Sequence, residues 1–347
     1  KIRMGISGTE NELTLAEVKD FLNLVIAKVD LAIESARNEK GQLATYFYHE
    51  VTEYKRPEKD DGKHVLPLKF KRHVLALFLE GYVHALRIEK DSGTARKLYQ
   101  QVRKSGLFDQ KLKMYRVNAD LSGESEEIGR TRVFPAGWLE NASIWLHMEY
   151  KFMLELLRSG LYEEFFENFR NVLIPFLKPT QYGRSILENS SFLVSSMHED
   201  SALHGQGFVA RLSGSTAEFL HMWLYMNLGA NPFTLDPKNE LRLEFKPVLP
   251  GWLFSKKTSA ITYVNASQEF EKIQLPANSY AFKFLGSILV VYHNPKRYDT
   301  YKAKIKAIHL TYPHLPQPVV LTTSVIPQSH AQDIRQKKLR RIDIYFE

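Results

Sequence analysis

NLGANPFTLDPKNE, residues 227–240, is where the chain changes its hydrophobic period. Gly229 frees the backbone, and Pro232 and Pro237 lack the N–H that a helix or an inner strand would use. Upstream, apolar residues recur at three- and four-residue spacing. Downstream, they come in short β-branched and aromatic runs. The joint therefore divides the chain into a helical part, residues 1–235, and a β part, residues 236–347.

Upstream of the joint, the segments 14–41, 70–91, 92–109, 143–160, 161–177 and 214–233 all follow the helical period. Several end at Gly or Pro, and short polar joints set them in pairs, as in αα-hairpins. Downstream, segments 241–254, 259–265, 280–295, 302–313 and 317–327 are punctuated by Pro, Gly and Asn. They predict an antiparallel β domain of sandwich size. The fold class expected is α+β, with paired helices followed by an antiparallel β-sandwich. A ring of helix pairs gathers its loops at one end, where pockets usually form.

The chain has 347 residues, enough for two domains with a large core. It has no Cys, which excludes disulfides, thiolate catalysis and Cys-based zinc sites. His147 and His204 do not stand at metal-binding helical spacing and no HExxH occurs, so no metal is expected. The net charge is +8. Its densest run is RQKKLRRIDIYFE at residues 335–347, which reads as a charged, protected edge strand. No nucleic-acid module, membrane span or signal peptide is visible, so the expected location is cytoplasmic. Asn141, Asn189 and Asn265 lie in Asn-x-Ser triplets, which arise easily by chance.

Three polar clusters in the helical part exceed what core packing requires. FPAGWLENASIWLH, residues 134–147, sets Glu140, Asn141 and His147 among Trp138 and Trp145. Sugars suit such a set, because their apolar ring faces stack on aromatics while their hydroxyls take polar partners. A plain helix start, with Glu140 in the first turn and Trp145 in the core, explains the same residues. The second cluster, residues 185–208, carries Glu188, a Ser-rich run and His204. The third, ARLSGSTAEFL at 210–220, places Ser213, Gly214, Ser215 and Thr216 at a helix start. Free N–H groups and the helix dipole make that an anion site, or simply a cap with Glu218 closing a capping box.

The order of these clusters resembles the catalytic domain of glycoside hydrolase family 94, the inverting β-glucan phosphorylases. FPAGWLENASIWLH stands where that family has Phe-Pro-Pro-Gly, Glu-Asn-Gly-Gly and a following His. ENSSFLV is a loose counterpart of Glu-Pro-Tyr-Val, and RLSGSTA of Trp-Leu-Thr-Gly-Thr-Ala. LRLEFKPVLPGW is similar to the first strand of the family's β domain. The resemblance covers roughly residues 110–255.

It implies part of an (α/α)6 barrel of six helical hairpins before the β-sandwich. The activity implied is inverting phosphorolysis of a β-linked di- or oligosaccharide to a sugar 1-phosphate, with inorganic phosphate as co-substrate and no cofactor. His147, Ser213 and Gly214 would hold phosphate. Trp138, Glu140, Asn141 and Glu188 would line the sugar subsites. Arg211 replaces the family's Trp and would offer phosphate a charged contact. The family's phosphate-binding Gln has no counterpart, since Val194 and Ser195 fall there. The general acid, an Asp in Asp-Trp-Asn-Asp, is also absent; Asp60 and Asp61 have the acid but not the context. The chain is therefore expected to be a fragment whose acid lies upstream, with exposed apolar helix faces. Its partners would be oligosaccharide, phosphate, and either a second copy or the missing segment. Two alternatives stay open: an inverting hydrolase, with Glu140 or Glu188 activating water, and a non-catalytic glycan-binding protein.

Overall fold

The computed structural model describes residues 8, 10–38, 41–57, 62–210, 213–265 and 267–347. The elements follow in the order α1 (Leu15–Ser35), β1 (Phe47–Lys55), β2 (Leu66–Val74), α2 (Leu79–Ile88), α3 (Ser92–Arg103), β3 (Phe108–Asp109), β4 (Met114–Tyr115) and α4 (Arg130–Val133). Then come β5 (Ile144–Trp145), α5 (Leu146–Arg158), α6 (Tyr162–Val172), α7 (Pro179–Tyr182), β6 (Ser190–Leu193), β7 (Gly207–Ala210) and α8 (Ser213–Leu228). The remainder is β8 (Phe233–Leu235), β9 (Leu241–Glu244), β10 (Ser259–Val264), β11 (Phe270–Leu275), β12 (Ser279–Phe284), β13 (Ile288–His293), β14 (Ile305–Thr311), β15 (Val319–Leu321), β16 (Val325–Ile326), α9 (Gln328–Arg335) and β17 (Arg341–Phe346). The fold class is mixed α and β, as expected.

These elements form two compact units, interleaved along the chain. One comprises Lys1–Phe152, Lys178–Ser185 and Phe192–Phe208; the other comprises Met153–Leu177, Ile186–Ser191 and Val209–Glu347.

The first unit is centred on α2, α3 and the start of α5. Leu79, Tyr82, Leu86, Tyr115 and Phe152 are fully buried. Tyr115 and Phe152 meet at 4.7 Å between ring centroids. Helix α1 opens with Thr14 accepting from the Glu17 N–H while Glu17 reaches back, a complete capping box. None of its residues is buried; Leu15, Phe21, Leu24 and Leu31 stand in solvent. The exposed apolar helix face expected from the sequence is thus present.

Residues 70–74, expected as the start of a helix, are the end of strand β2. The alternation of Leu66, Leu68 and Phe70 with Pro67, Lys69 and Lys71 has a period of two. Cross-strand charge also favours pairing: Lys69 bridges Glu53 on β1, and Lys71 lies opposite Glu50. The helix starts only at Leu79.

The second unit is built on a five-stranded sheet, ordered β12-β13-β17-β14-β15. The expected antiparallel pattern fails at one place, where β13 and β17 run parallel. The C-terminal run is also not an edge: β17 is the middle strand, with Ile342 and Ile344 fully buried. Most of its positive charge, Lys337, Lys338 and Arg340, precedes the strand. Inside it, Arg341 and His293 both hold Asp343, each at 2.6 Å. Burial of Asp343 opposes its ionisation, but these two partners hold its carboxyl below the usual range.

Helix α8 ends at Leu228, in the stretch read from the sequence as a joint, but that stretch lies inside one unit. Gly229 follows with φ 83°, and a Cβ there would lie 2.8 Å from the Lys246 carbonyl oxygen. Only glycine lets the chain turn so close to the residues after β9. Tyr292 of β13 is fully buried and donates its hydroxyl to the Asn227 carbonyl at 2.5 Å.

Candidate functional site

The first cluster lies not in a helix start but in a tight loop ahead of α5. Glu140 stands six residues before that helix begins. Pro135 and Gly137 set up the loop: Trp138 N–H donates to the Pro135 carbonyl, and Gly137 N–H to the Asn141 carbonyl. Leu139 and Ala142 both adopt positive φ, 46° and 52°. A conformation this costly needs surrounding bonds to hold it.

Two buried asparagines supply them. The Asn141 side chain donates to the Phe134 carbonyl at 2.9 Å and accepts from Leu121 N–H at 2.9 Å. Asn118 donates to the Glu140 carbonyl at 2.7 Å and accepts from Ala142 N–H at 2.6 Å. Both are 1% exposed or less. Asn141 therefore shapes the loop from inside, and its Asn-x-Ser triplet is closed to an enzyme acting on the folded chain. Ser143 donates to the Leu139 carbonyl, and Trp145 Nε1–H to the same oxygen at 2.5 Å.

So fixed, the loop joins an aromatic cluster. Trp138 meets Phe208 at 4.7 Å and Phe192 at 5.3 Å, both edge to face. Trp145 stacks along Phe192 at 6.2 Å, and its backbone pairs with Phe192 between β5 and β6. Phe192 is buried, whereas Trp138, Trp145 and Phe208 are half-buried. Glu140, two residues along the chain from Trp138, is held by Arg130 through Nε at 3.2 Å and Nη2 at 2.5 Å. The result is an aromatic platform on a loop that also carries an ion-paired carboxylate.

The Ser-rich segment completes it. Ser195 N–H donates to the Gly137 carbonyl at 3.1 Å, and His198 sits 6.0 Å from Trp138. Gly137 has φ 84°, and a Cβ there would lie 2.5 Å from the His198 nitrogen. The segment is anchored in turn by Asp109, which is buried and accepts from Ser196 N–H at 2.7 Å and from its hydroxyl at 2.8 Å. Burial works against the Asp109 charge, but these bonds and Arg116 at 3.3 Å keep its carboxyl below the usual range. Nearby Glu149 behaves oppositely. It is fully buried and, among the described residues, accepts only from Tyr115 N–H, at 2.7 Å, its other oxygen finding no partner there. Burial, with some repulsion from Asp109, pushes its carboxyl well above the usual range.

The other expected residues fall as follows. His147 is the second residue of α5 and half-buried, in the same unit as the platform. His204 bonds the His198 carbonyl at 2.8 Å and Lys111 Nζ at 2.7 Å. Glu188 is half-buried in the other unit. There Ser213 and Gly214 open the sixteen-residue helix α8, and Asn189 donates to the Thr216 hydroxyl at 3.3 Å. The segment carrying Glu188 is thus joined to the first turn of α8. Arg211, Asp60 and Asp61 lie outside the described residues. Among the described residues, no group of His, Asp and Glu is arranged to hold a metal ion. No described helix is long and apolar enough to cross a membrane.

Sequence reading missed His198, Phe208, Asn118 and Asp109. His198 was within a quoted segment, but its contact with Trp138 spans 60 residues. No protein-family model matches the chain, and no curated protein matches it.

Proposed function

We propose that this chain is part of a carbohydrate-active enzyme that binds a β-linked di- or oligosaccharide on the Trp138 platform and takes part in its inverting phosphorolysis to a sugar 1-phosphate. One observation carries the carbohydrate assignment. Half-buried Trp138, Trp145 and Phe208 gather around buried Phe192, and the loop that carries Trp138 also carries the Glu140 carboxylate, paired with Arg130. Pyranose rings are apolar on their faces and polar at their rims, so they suit a stacking surface bordered by hydrogen-bonding groups. Trp138 stacks the sugar and Glu140 accepts from its hydroxyls, while Asn141 keeps the loop in shape.

The phosphate half of the reading rests on the family resemblance of residues 110–255. In it, His147, Ser213, Gly214 and Arg211 hold inorganic phosphate, and Glu188 borders the sugar. Phosphate takes the place of the water in an inverting hydrolase and attacks the anomeric carbon opposite the leaving group. A general acid outside the quoted motifs protonates the departing oxygen. The barrel of helical hairpins, the sandwich architecture of the β part and the cytoplasmic location belong to the same proposal.

The test is incubation with β-linked disaccharides, with and without inorganic phosphate, followed by analysis for sugar 1-phosphate. Phosphate-dependent product that falls at least tenfold in Trp138→Ala supports the proposal. Cleavage without phosphate makes the protein a hydrolase. Binding without cleavage makes it a glycan-binding protein, and no binding removes the platform as a sugar site.

A further inference from the structure

We infer that His198 is a sugar-binding residue of the Trp138 platform, contributing a fixed N–H donor to a hydroxyl of an uncharged pyranose. The inference rests on the carbohydrate reading above and goes beyond it, since nothing in the sequence motifs points to His198.

The argument begins with the backbone. Gly137 and His198 touch so closely that no side chain fits between them. The Ser195 N–H bond to Gly137 and the turn from Ser195 to His198 lock the two strands of chain together. The imidazole is therefore delivered to the Trp138 ring by main-chain contacts, not by a flexible tether. Its position costs little to maintain when a ligand binds, which is what preorganised recognition requires.

The ring's chemistry is fixed as well. Nδ1 accepts the Asp200 N–H at 3.1 Å. A neutral imidazole has one acceptor and one donor nitrogen, so the proton must lie on Nε2. No protein group among the described residues bonds Nε2. The half-buried side chain thus presents a single N–H donor with no protein partner beside the half-buried Trp138 ring. A sugar stacked on Trp138 carries hydroxyl oxygens around its rim, at the height where a neighbouring donor meets them. The lone pairs of such a hydroxyl oxygen accept that donor.

The test is calorimetric titration of β-linked glucose and N-acetylglucosamine disaccharides into the wild-type chain and three variants, His198→Ala, His198→Gln and Trp138→Ala. Near-UV circular dichroism checks that each variant is folded. Loss of one neutral hydrogen bond predicts about fivefold weaker binding for His198→Ala. His198→Gln, which restores an N–H donor, returns affinity to within about twofold of wild type. If Trp138→Ala weakens binding while His198→Ala leaves it unchanged, the His198 assignment is overturned and the platform stands. If His198→Gln is as weak as His198→Ala, the donor role is overturned. If the wild-type chain binds no sugar, or Trp138→Ala binds as well as wild type, the platform reading falls and the His198 role falls with it.

Discussion

Replacing Gly137 by Ala separates two costs that glycines usually mix. The first is conformational. At φ 84° an L-residue lies in the left-handed region, a penalty of about 1–2 kcal/mol. The second is steric. The new Cβ would lie 2.5 Å from the His198 nitrogen and 3.0 Å from its Cα, both backbone atoms that cannot swing away. Relieving that overlap means moving the 195–198 turn off the Trp138 loop, an overpacking cost of about 1–3 kcal/mol. The Ser195 N–H bond to Gly137, worth about 1 kcal/mol, is lost with it. Gly137→Ala should therefore destabilise its unit by about 3–6 kcal/mol. Gly183→Ala is the control in the same unit. Its φ is 69°, and the nearest atoms to its Cβ belong to the Gln206 side chain at 3.6 Å or beyond, an ordinary contact. That variant should cost only the conformational part, about 1–2 kcal/mol. Urea unfolding followed by tryptophan fluorescence reads both, because Trp138 and Trp145 report on the loop itself. Equal losses in the two variants, within about 0.5 kcal/mol, would refute the backbone contact and the geometry built on it.

Three further outcomes are expected. Asn141→Ala removes three side-chain hydrogen bonds, to Leu121, Phe134 and Ser122, so urea unfolding should show a loss of about 2–4 kcal/mol. Glu149 keeps a proton in the folded state that the unfolded chain releases near the ordinary Glu range of about 4.3. Its contribution is therefore complete below that range and declines as pH rises through the raised folded value. Glu149→Gln should flatten the slope of stability between pH 4 and 8 measured by thermal unfolding, and it should match or exceed wild type at neutral pH. Tyr292→Phe deletes the buried bond to the Asn227 carbonyl, and denaturation of the second unit should show a loss of about 1–2 kcal/mol.

The end of α8 at Leu228 was legible because Gly229 and Pro232 act locally: each forbids a conformation whatever surrounds it. Pro135 and Gly137 announced a turn for the same reason. The start of α2 was not legible, because Phe70–Val74 runs into it without Gly or Pro, and its mix of basic residues, His73 and apolar ends fits either period. What decided it was Glu53 on the opposite strand, which no local window contains. The C-terminal run misled through its charge. Lys337, Lys338 and Arg340 stand just outside a strand whose own residues, Ile342 and Ile344, are core. Trp138 and Glu140 could be singled out as a chemical set, since they are close in sequence. Their supports could not: Asn118, Asp109, His198 and Phe208 reach the loop only through the fold. Asn141 was visible too, but its bracing of the loop was not, because sequence does not say on which side of a loop an amide points.

The position of β17 at the centre of its sheet has a consequence for synthesis. β13 and β14 flank it, and each pairs with β17 and not with the other. While the chain grows, both expose a row of unpaired N–H and C=O groups until residues 341–346 leave the ribosome. During that interval β12–β13 exists only as a hairpin, a unit with little stability of its own. The second unit is then open to pairing with strands of other nascent chains. Its folding yield should depend on how quickly β17 arrives, and a chain stalled before Arg341 should aggregate.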